Sequence, residues 1–366
     1  MKLLYIVNQI NGTTGQERII ALKSNYFIKH YGYEVTILTL DEVEDTPFFE
    51  LSEAIKIHNI PKLSNSISHH FSRFKKINEI LKAEAPSVVI VCIDNIFGLY
   101  LPIFLKKNFQ LIYERHNSKR VNYTQNATSI KDKIINIGKK LLLKGGRRYD
   151  TLVLLSDDHI KEWKNLKNLT VISNPLIFYP DEHAKLENKK VLAVGRHTHQ
   201  KGFDMLLKSW KEVVKTYKDW TLEIYGKKDE TLSMLSLAKD YGILDYINFH
   251  DPVSNIMDVY MESSIYALSS RFEGFPLVLI ETMACGVPAV AFNCPCGVQE
   301  LITHREDGIL VNIDDTDSFA KSLINLMENP QKRKKMGHQA RESILRLSPD
   351  NIFPKWKNLF ETLLSK

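Results

Sequence analysis

The sequence predicts an α/β protein built from two doubly wound parallel-sheet domains that face one another across a cleft. Three observations lead there. Short β-branched runs alternate with amphipathic stretches along the chain, the pattern of βαβ units. Several of these runs are apolar at every position, as strands buried on both faces are. The chain has 366 residues, more than one hydrophobic core usually organises, so two domains are expected.

The elements follow in order. A first series of strands is expected at Lys2–Val7, Glu34–Thr39, Ser87–Ile93, Gln110–Tyr113, Thr151–Leu155 and Thr170–Ile172. A second series is expected at Lys190–Val194, Thr221–Tyr225, Ile247–Phe249, Ile265–Leu268, Ala289–Phe292 and Ile309–Val311. Helical periodicity between them marks Gln16–Tyr31, Ser72–Lys82, Phe203–Thr216, Leu232–Tyr241 and Ser318–Met327. The stretch from Asn174 to Lys189 carries Pro175, Pro180 and several charges and reads as a hinge. The first domain is therefore placed at residues 1–175 and the second at 176–350. Ile352, Phe353, Trp356, Phe360 and Leu363 recur at helical spacing, so 351–366 should form a helix that docks back on the first domain.

Composition narrows the class. The hydrophobic share of 44% and charged share of 25% suit a globular chain and argue against disorder. No apolar run approaches the roughly 20 residues needed to span a bilayer. Leu3–Val7 is too short for a signal-peptide core and reads as the first strand, so a cytoplasmic protein is expected. Cys92, Cys285, Cys294 and Cys296 make no disulfide framework in a chain this long. Cys294 and Cys296 have no second Cys/His pair at a matching spacing, and ordinary reduced thiols are the expectation.

Charge is uneven. Net charge is +6, yet Leu101–Asp150 alone holds twelve Lys and Arg against three acids. Within it, 130–148 could present an apolar face of Ile and Leu opposite lysines. Such a basic amphipathic helix suits an anionic membrane surface, where a lipid-linked acceptor would lie; a domain helix with a solvated basic face reads equally well. Nucleic-acid binding fits less well, because the patch lacks interleaved aromatics and a binding motif.

The run from Ser269 to Val290 carries the densest chemistry. Glu273 stands just before an apolar helix, and Glu281 lies inside it, four residues after Leu277. A carboxylate in such surroundings loses solvation and needs a partner. Pro276 suits a first helical position and Gly286 a helix end. The free amides near Phe275 to Val278 would form an anion site. A ligand with phosphates at one end and hydroxyls at the other would satisfy this set. Arg196 and Lys201 flank a turn after Lys190–Val194 and could neutralise a diphosphate, although a solvated charge pair is the plainer reading. Asp204 is expected to serve the start of the helix that follows, and a His197/His199 metal site is not expected. Gly15 would let backbone approach a ligand after the first strand, or simply make a strand–helix turn. His116 follows Gln110–Tyr113 and could bond a sugar hydroxyl or move a proton, or be a surface histidine.

Together these residues resemble the retaining, nucleotide-sugar-dependent glycosyltransferases of group 1, or family four. The similarity is strongest from Lys190 to Val311. Glu273 and Glu281 match the family's Glu-x7-Glu signature, and Gly195-Arg196 with Lys201-Gly202 matches its Gly-Arg and Lys-Gly segment. Gly15-Gln16-Glu17-Arg18 is similar to its N-terminal loop, with Thr14 in place of the first glycine. Tyr225-Gly226-Lys227 has one glycine where the family has two. The resemblance implies the GT-B fold of two Rossmann-like domains. It implies that Arg196 and Lys201 hold the donor diphosphate, that Glu281 takes the ribose hydroxyls, and that Glu273 faces the donor sugar. It further implies that the segment Gly274 to Val278, Pro276 included, lines the donor, that Gly15 closes over the phosphates, and that His116 lies beside the donor sugar. UDP is the commonest donor nucleotide among relatives, and surface-glycan members carry sequences similar to Glu114-Arg115-His116-Asn117. No bound metal or other cofactor is expected. An epimerase or a phosphorylase on the same fold is the alternative.

Overall fold

The computed structural model describes residues 1–40, 46–61, 67–118, 143–227 and 234–365. The chain divides into two compact units, one of Met1–Pro175 with Asp350–Lys366 and one of Leu176–Pro349.

The first unit holds a sheet of β1 (Lys2–Val7), β2 (Glu34–Thr39), β3 (Lys56–Asn59), β4 (Val88–Cys92), β5 (Gln110–Glu114), β6 (Thr151–Leu154) and β7 (Leu169–Val171). Its order is β3-β2-β1-β4-β5-β6-β7. The second unit holds β8 (Lys190–Val194), β9 (Thr221–Tyr225), β10 (Ile247–His250), β11 (Ile265–Leu268), β12 (Ala289–Phe292) and β13 (Gly308–Val311). Its order is β10-β9-β8-β11-β12-β13. Every strand pair among the described residues is parallel. Both orders reverse once, at β1/β4 and at β8/β11, so each unit is a doubly wound Rossmann-like sheet.

Helices cover the sheets. In the first unit they are α1 (Gly15–Tyr31), α2 (Ile67–Glu84), α3 (Ile96–Tyr100) and α4 (Asp157–Glu162). In the second they are α5 (Phe203–Val213), α6 (Met234–Asp240), α7 (Ile256–Met261), α8 (Leu277–Ala284), α9 (Val298–Leu301), α10 (Thr316–Glu328) and α11 (Pro330–Ser343). The last, α12 (Pro349–Leu364), packs on α1: the Phe353 ring stacks on Tyr26 at 4.0 Å, and Phe360 meets Phe27 edge-on at 5.6 Å.

Apolar burial explains the strands. Every residue of β4 is fully buried, as is every residue of β12. In the second unit Trp210 and Phe319 close one face of the sheet with no exposed surface. Each such side chain contributes about 1.5–3 kcal/mol relative to exposure.

The elements that the pattern did not mark include α3, α4, α7 and α9, and two more for a clear physical reason. The edge strand β3 reads Lys-Ile-His-Asn, and even Ile57 is 41% exposed, so it carries no buried alternation. Helix α11 is rich in Lys and Arg and buries Arg333, Met336, Gly337 and Ala340, a face that apolar counting misses. The helix expected over Leu232–Tyr241 is seen as α6, its first two residues lying outside the described set. Of the basic segment 130–148, residues 130–142 lie outside the described residues, and Leu143–Arg148 forms a short 3-10 helix.

Candidate functional site

In each unit the polar residues gather beyond the carboxyl ends of the strands at the reversal of strand order, where ligands bind in such sheets.

In the second unit, β8 ends at Val194, and Gly195 donates its N–H to the Tyr225 carbonyl at 2.9 Å. Arg196 follows, exposed, and its guanidinium makes no hydrogen bond or ion pair with the described residues. A 3-10 turn, His199–Lys201, leads into Gly202. Gly202 has φ +62°, and a Cβ there would stand 2.2 Å from the Ser269 carbonyl oxygen. Only glycine meets both demands, and the result presses the Lys201 loop against the loop after β11.

That contact brings Lys201 and Glu273 together. Lys201 Nζ lies 2.8 Å from Glu273 Oε1, and the Ser270 hydroxyl donates to the same oxygen at 2.6 Å. Glu273 is 5% exposed, so the pair attracts more strongly than one in bulk water. The loops are joined further by Arg271 N–H to the Gln200 carbonyl at 2.8 Å and the Ser269 hydroxyl to the Lys201 carbonyl at 2.8 Å. Arg271 also forks onto both oxygens of Asp204, at 2.8 and 2.5 Å, and donates to the His199 carbonyl at 2.9 Å. Burial alone would push Asp204 up, but the Arg271 fork wins and holds it below the usual carboxylate range. Asp204 thus sits in the first turn of α5 and also anchors the neighbouring loop.

Helix α8 begins at Leu277, with Pro276 as its cap and not as its first helical residue. Leu279 and Ile280 donate back to the Pro276 carbonyl, so the amides of Leu277 and Val278 precede the helical ladder. Pro276 has no N–H; Gly274, Phe275, Leu277 and Val278 supply the amides of this end. Glu281 is 4% exposed and accepts from the Tyr260 hydroxyl at 2.6 Å. Gly286, at φ +73°, ends the helix.

In the first unit, α1 starts at Gly15, and the Thr14 hydroxyl turns to Glu17 instead of capping the helix. His116 is 8% exposed, not a surface histidine. Its N–H donates to Asp94 Oδ1 at 3.2 Å, and Asn117 Nδ2 donates to Asp94 Oδ2 at 2.7 Å. Two residues earlier, Glu114 accepts from Lys23 Nζ at 2.7 and 2.6 Å, both side chains being 1% exposed. Burial pushes the Glu114 carboxyl up, but the Lys23 ammonium overrides it and holds the carboxyl below the usual range. Burial pushes the Cys92 thiol well up, so it stays protonated and points to Glu114 Oε2 at 3.4 Å. Ligand atoms of Cys92, Glu114 and His116 lie within 4.8 Å of one another. The set does not suit a metal, because Lys23 already occupies both carboxylate oxygens and the thiol keeps its proton.

Four partners escaped the sequence reading: Ser270 on Glu273, Arg271 on Asp204, Tyr260 on Glu281, and Lys23 on Glu114. Only Lys23 left a signal. It shares the buried stripe of α1 with Ile19, Ile20 and Phe27, and a lysine at that spacing requires a buried partner.

A family model described as glycosyl transferases group 1 matches residues 178–343. An uncharacterized glycosyltransferase of Haemophilus influenzae is 33% identical over 364 residues, covering 98% of this chain and 99% of its own. An amylovoran biosynthesis glycosyltransferase of Erwinia amylovora is 28% identical over 370 residues, covering 98% and 99%. Among solved structures, a mutant S. aureus TarM in complex with Fondaparinux, alpha-GlcNAc-glycerol and UDP superposes with a TM-score of 0.77 at 14% identity, covering 98% of this chain and 99% of that one. This last likeness is one of fold, the GT-B arrangement of two Rossmann-like domains.

Proposed function

The chain belongs to the group 1 glycosyltransferases, and from that premise we propose that it is a retaining enzyme that moves a hexose or N-acetylhexosamine from a UDP-sugar to a glycan or lipid-linked acceptor in cell-surface polysaccharide synthesis. The second unit takes the donor and the first takes the acceptor. The work is done in the cytoplasm, with the basic segment 130–148 resting on an anionic membrane surface. The named biosynthetic relative supports the pathway class, and the UDP in the TarM complex supports the nucleotide.

One observation carries the donor reading. Arg196 and Lys201 follow β8, and the amides of Gly274, Phe275, Leu277 and Val278 follow β11, the two strands at the reversal, with Glu273 buried beside Lys201. Cleaving a sugar–phosphate bond leaves positive charge on the sugar and negative charge on the diphosphate. Fixed cations and helix amides stabilise the second without reorganisation. Glu273 meets the first and the sugar hydroxyls, and a bound diphosphate competes with it for Lys201. Arg196, whose guanidinium has no partner among the described residues, supplies a planar fork. Glu281, set by Tyr260, accepts from the ribose hydroxyls. Pro276 holds the turn, Gly15 admits the phosphates, and His116 acts on the donor sugar. The positive charge comes from side chains and amides, so the reaction as proposed needs no metal.

Incubation with UDP-, GDP- and ADP-sugars, with and without acceptor, tests this. Transfer that depends on acceptor supports it, and Arg196→Ala, Lys201→Ala and Glu281→Ala should each lose most turnover. Full activity in all three variants removes the donor site. Donor consumed without acceptor makes the protein an epimerase, and activity needing free phosphate and no nucleotide makes it a phosphorylase.

A further inference from the structure

Resting on the reading that His116 acts on the donor sugar, we propose that the buried Lys23–Glu114 pair is a positioning device for the His116 ring: Glu114 holds the Nε2–H tautomer, which leaves Nδ1 as the hydrogen-bond acceptor for a sugar hydroxyl.

The geometry carries it. His116 Nε2 is buried, makes no hydrogen bond among the described residues, and lies 3.5 Å from Glu114 Oε1. That gap exceeds a good N–H···O bond by roughly half an ångström, so a small ring movement closes it. Glu114 has room for the contact. Its Oε2 takes Lys23 and the Cys92 thiol, whereas Oε1 takes Lys23 alone among the described residues. A carboxylate offers about four acceptor sites, and one on Oε1 faces His116. A carboxylate can only accept, so the ring nitrogen facing it must carry the proton, and in the neutral ring the other nitrogen is the acceptor.

Nothing in this device floats. Both oxygens of Glu114 are tied to one ammonium, and Trp356 of α12 lies over that ammonium, its ring centroid 3.5 Å from Lys23 Nζ. The Tyr5 ring lies 5.7 Å away on another side. The pivot of the histidine is fixed by Asp94, which takes the His116 N–H. The charged and titratable groups around the ring are thus Glu114, Lys23, Cys92, Asp94 and, 3.6 Å from Asp94, the buried Arg115. Stability alone does not call for such a pair, since well-packed apolar residues replace buried ion pairs with little loss. What the pair adds is a fixed acceptor aimed at one ring nitrogen. It also makes the C-terminal helix part of the site's support, through Trp356.

The test uses the full chain with 15N-labelled histidine rings, the His116 signals being identified by their loss in His116→Ala. The wild-type ring should show the Nε2–H tautomer. A single Glu114 variant would strand the Lys23 ammonium, so the informative change is the double variant K23M/E114L. It should keep the donor KM within about twofold, let the His116 nitrogens shift toward mixed tautomers, and lower kcat about 10- to 100-fold, the cost of a misplaced group. K23M/E114Q, which retains a carbonyl acceptor, should recover much of both signals. A wild-type ring in the Nδ1–H form overturns the proposal even where the variants fail to fold. Unchanged His116 shifts and kcat in K23M/E114L overturn it as well. Unchanged turnover in His116→Ala instead removes the donor-sugar role of His116, while the ring spectra still judge the hold of Glu114.

Discussion

Glu281 shows how a single side chain depends on a partner that the linear order hides. It sits in a helix whose Leu279, Ile280 and Met283 are fully buried, and the Tyr260 hydroxyl meets it from α7 at 2.6 Å. Hydrogen bonds to a charged group contribute about 1.5–3 kcal/mol. Tyr260→Phe should therefore lower unfolding free energy by about that much in urea, and should weaken UDP binding in a thermal-shift titration by loosening the hold on the carboxylate. Unchanged UDP binding would mean that Tyr260 does not set Glu281. The need for a partner was legible, because a carboxylate flanked by Leu, Val and Ile must be compensated. The identity of the partner was not, since Tyr260 lies 21 residues away with no periodic relation to Glu281.

At the scale of elements, the loops matter more than the strands and helices they join. Helix α5 and the loop after β11 are locked by Arg271 and Asp204, which are 67 residues apart. The pair is partly exposed, with side-chain accessibilities of 21% and 42%, so screening limits it to about 1 kcal/mol despite its forked geometry. The Asp204 carboxyl is held below its unfolded value of about 3.9. Its contribution is therefore complete above that value and disappears as pH falls through the lowered one. The stability gap between the native chain and Asp204→Asn should be about 1 kcal/mol at neutral pH and should narrow as pH falls below about 3.9. A gap that stays constant over that range would exclude the ion pair as its source. Buried strands and amphipathic helices such as β8 and α5 announce themselves through apolar periodicity. The edge strand β3 and the basic helix α11 do not, because one hides almost nothing and the other buries an arginine and a glycine.

At the scale of the whole molecule, two sheets share one winding order, and the chain returns to the first unit only at Asp350. That return is bonded by rings: Phe353 on Tyr26, Trp356 over Lys23 and Phe360 against Phe27. No helix among the described residues is long and apolar enough to cross a membrane. The membrane contact proposed above is assigned to the cation excess of Leu101–Asp150. Each cation near an anionic surface contributes about 1 kcal/mol. Changing Lys139, Lys140, Arg147 and Arg148 to Glu should abolish co-sedimentation with anionic liposomes while leaving neutral liposomes unaffected. Equal sedimentation of the quadruple variant would leave the segment a solvated face.

The winding class, the two-domain scale, and the candidacy of Arg196, Lys201, Glu273, Glu281 and His116 came from the linear order alone. Those features rest on local physics: side-chain period, glycine and proline geometry, and the cost of a carboxylate in an apolar run. The pairing of Lys201 with Glu273, of Arg271 with Asp204, and of Lys23 with Glu114 beneath Trp356 was decided only in three dimensions. Each joins residues that lie tens of positions apart. Their meeting depends on strand order and on helix packing, which bring distant loops to one end of a sheet, and no local pattern encodes such a distance.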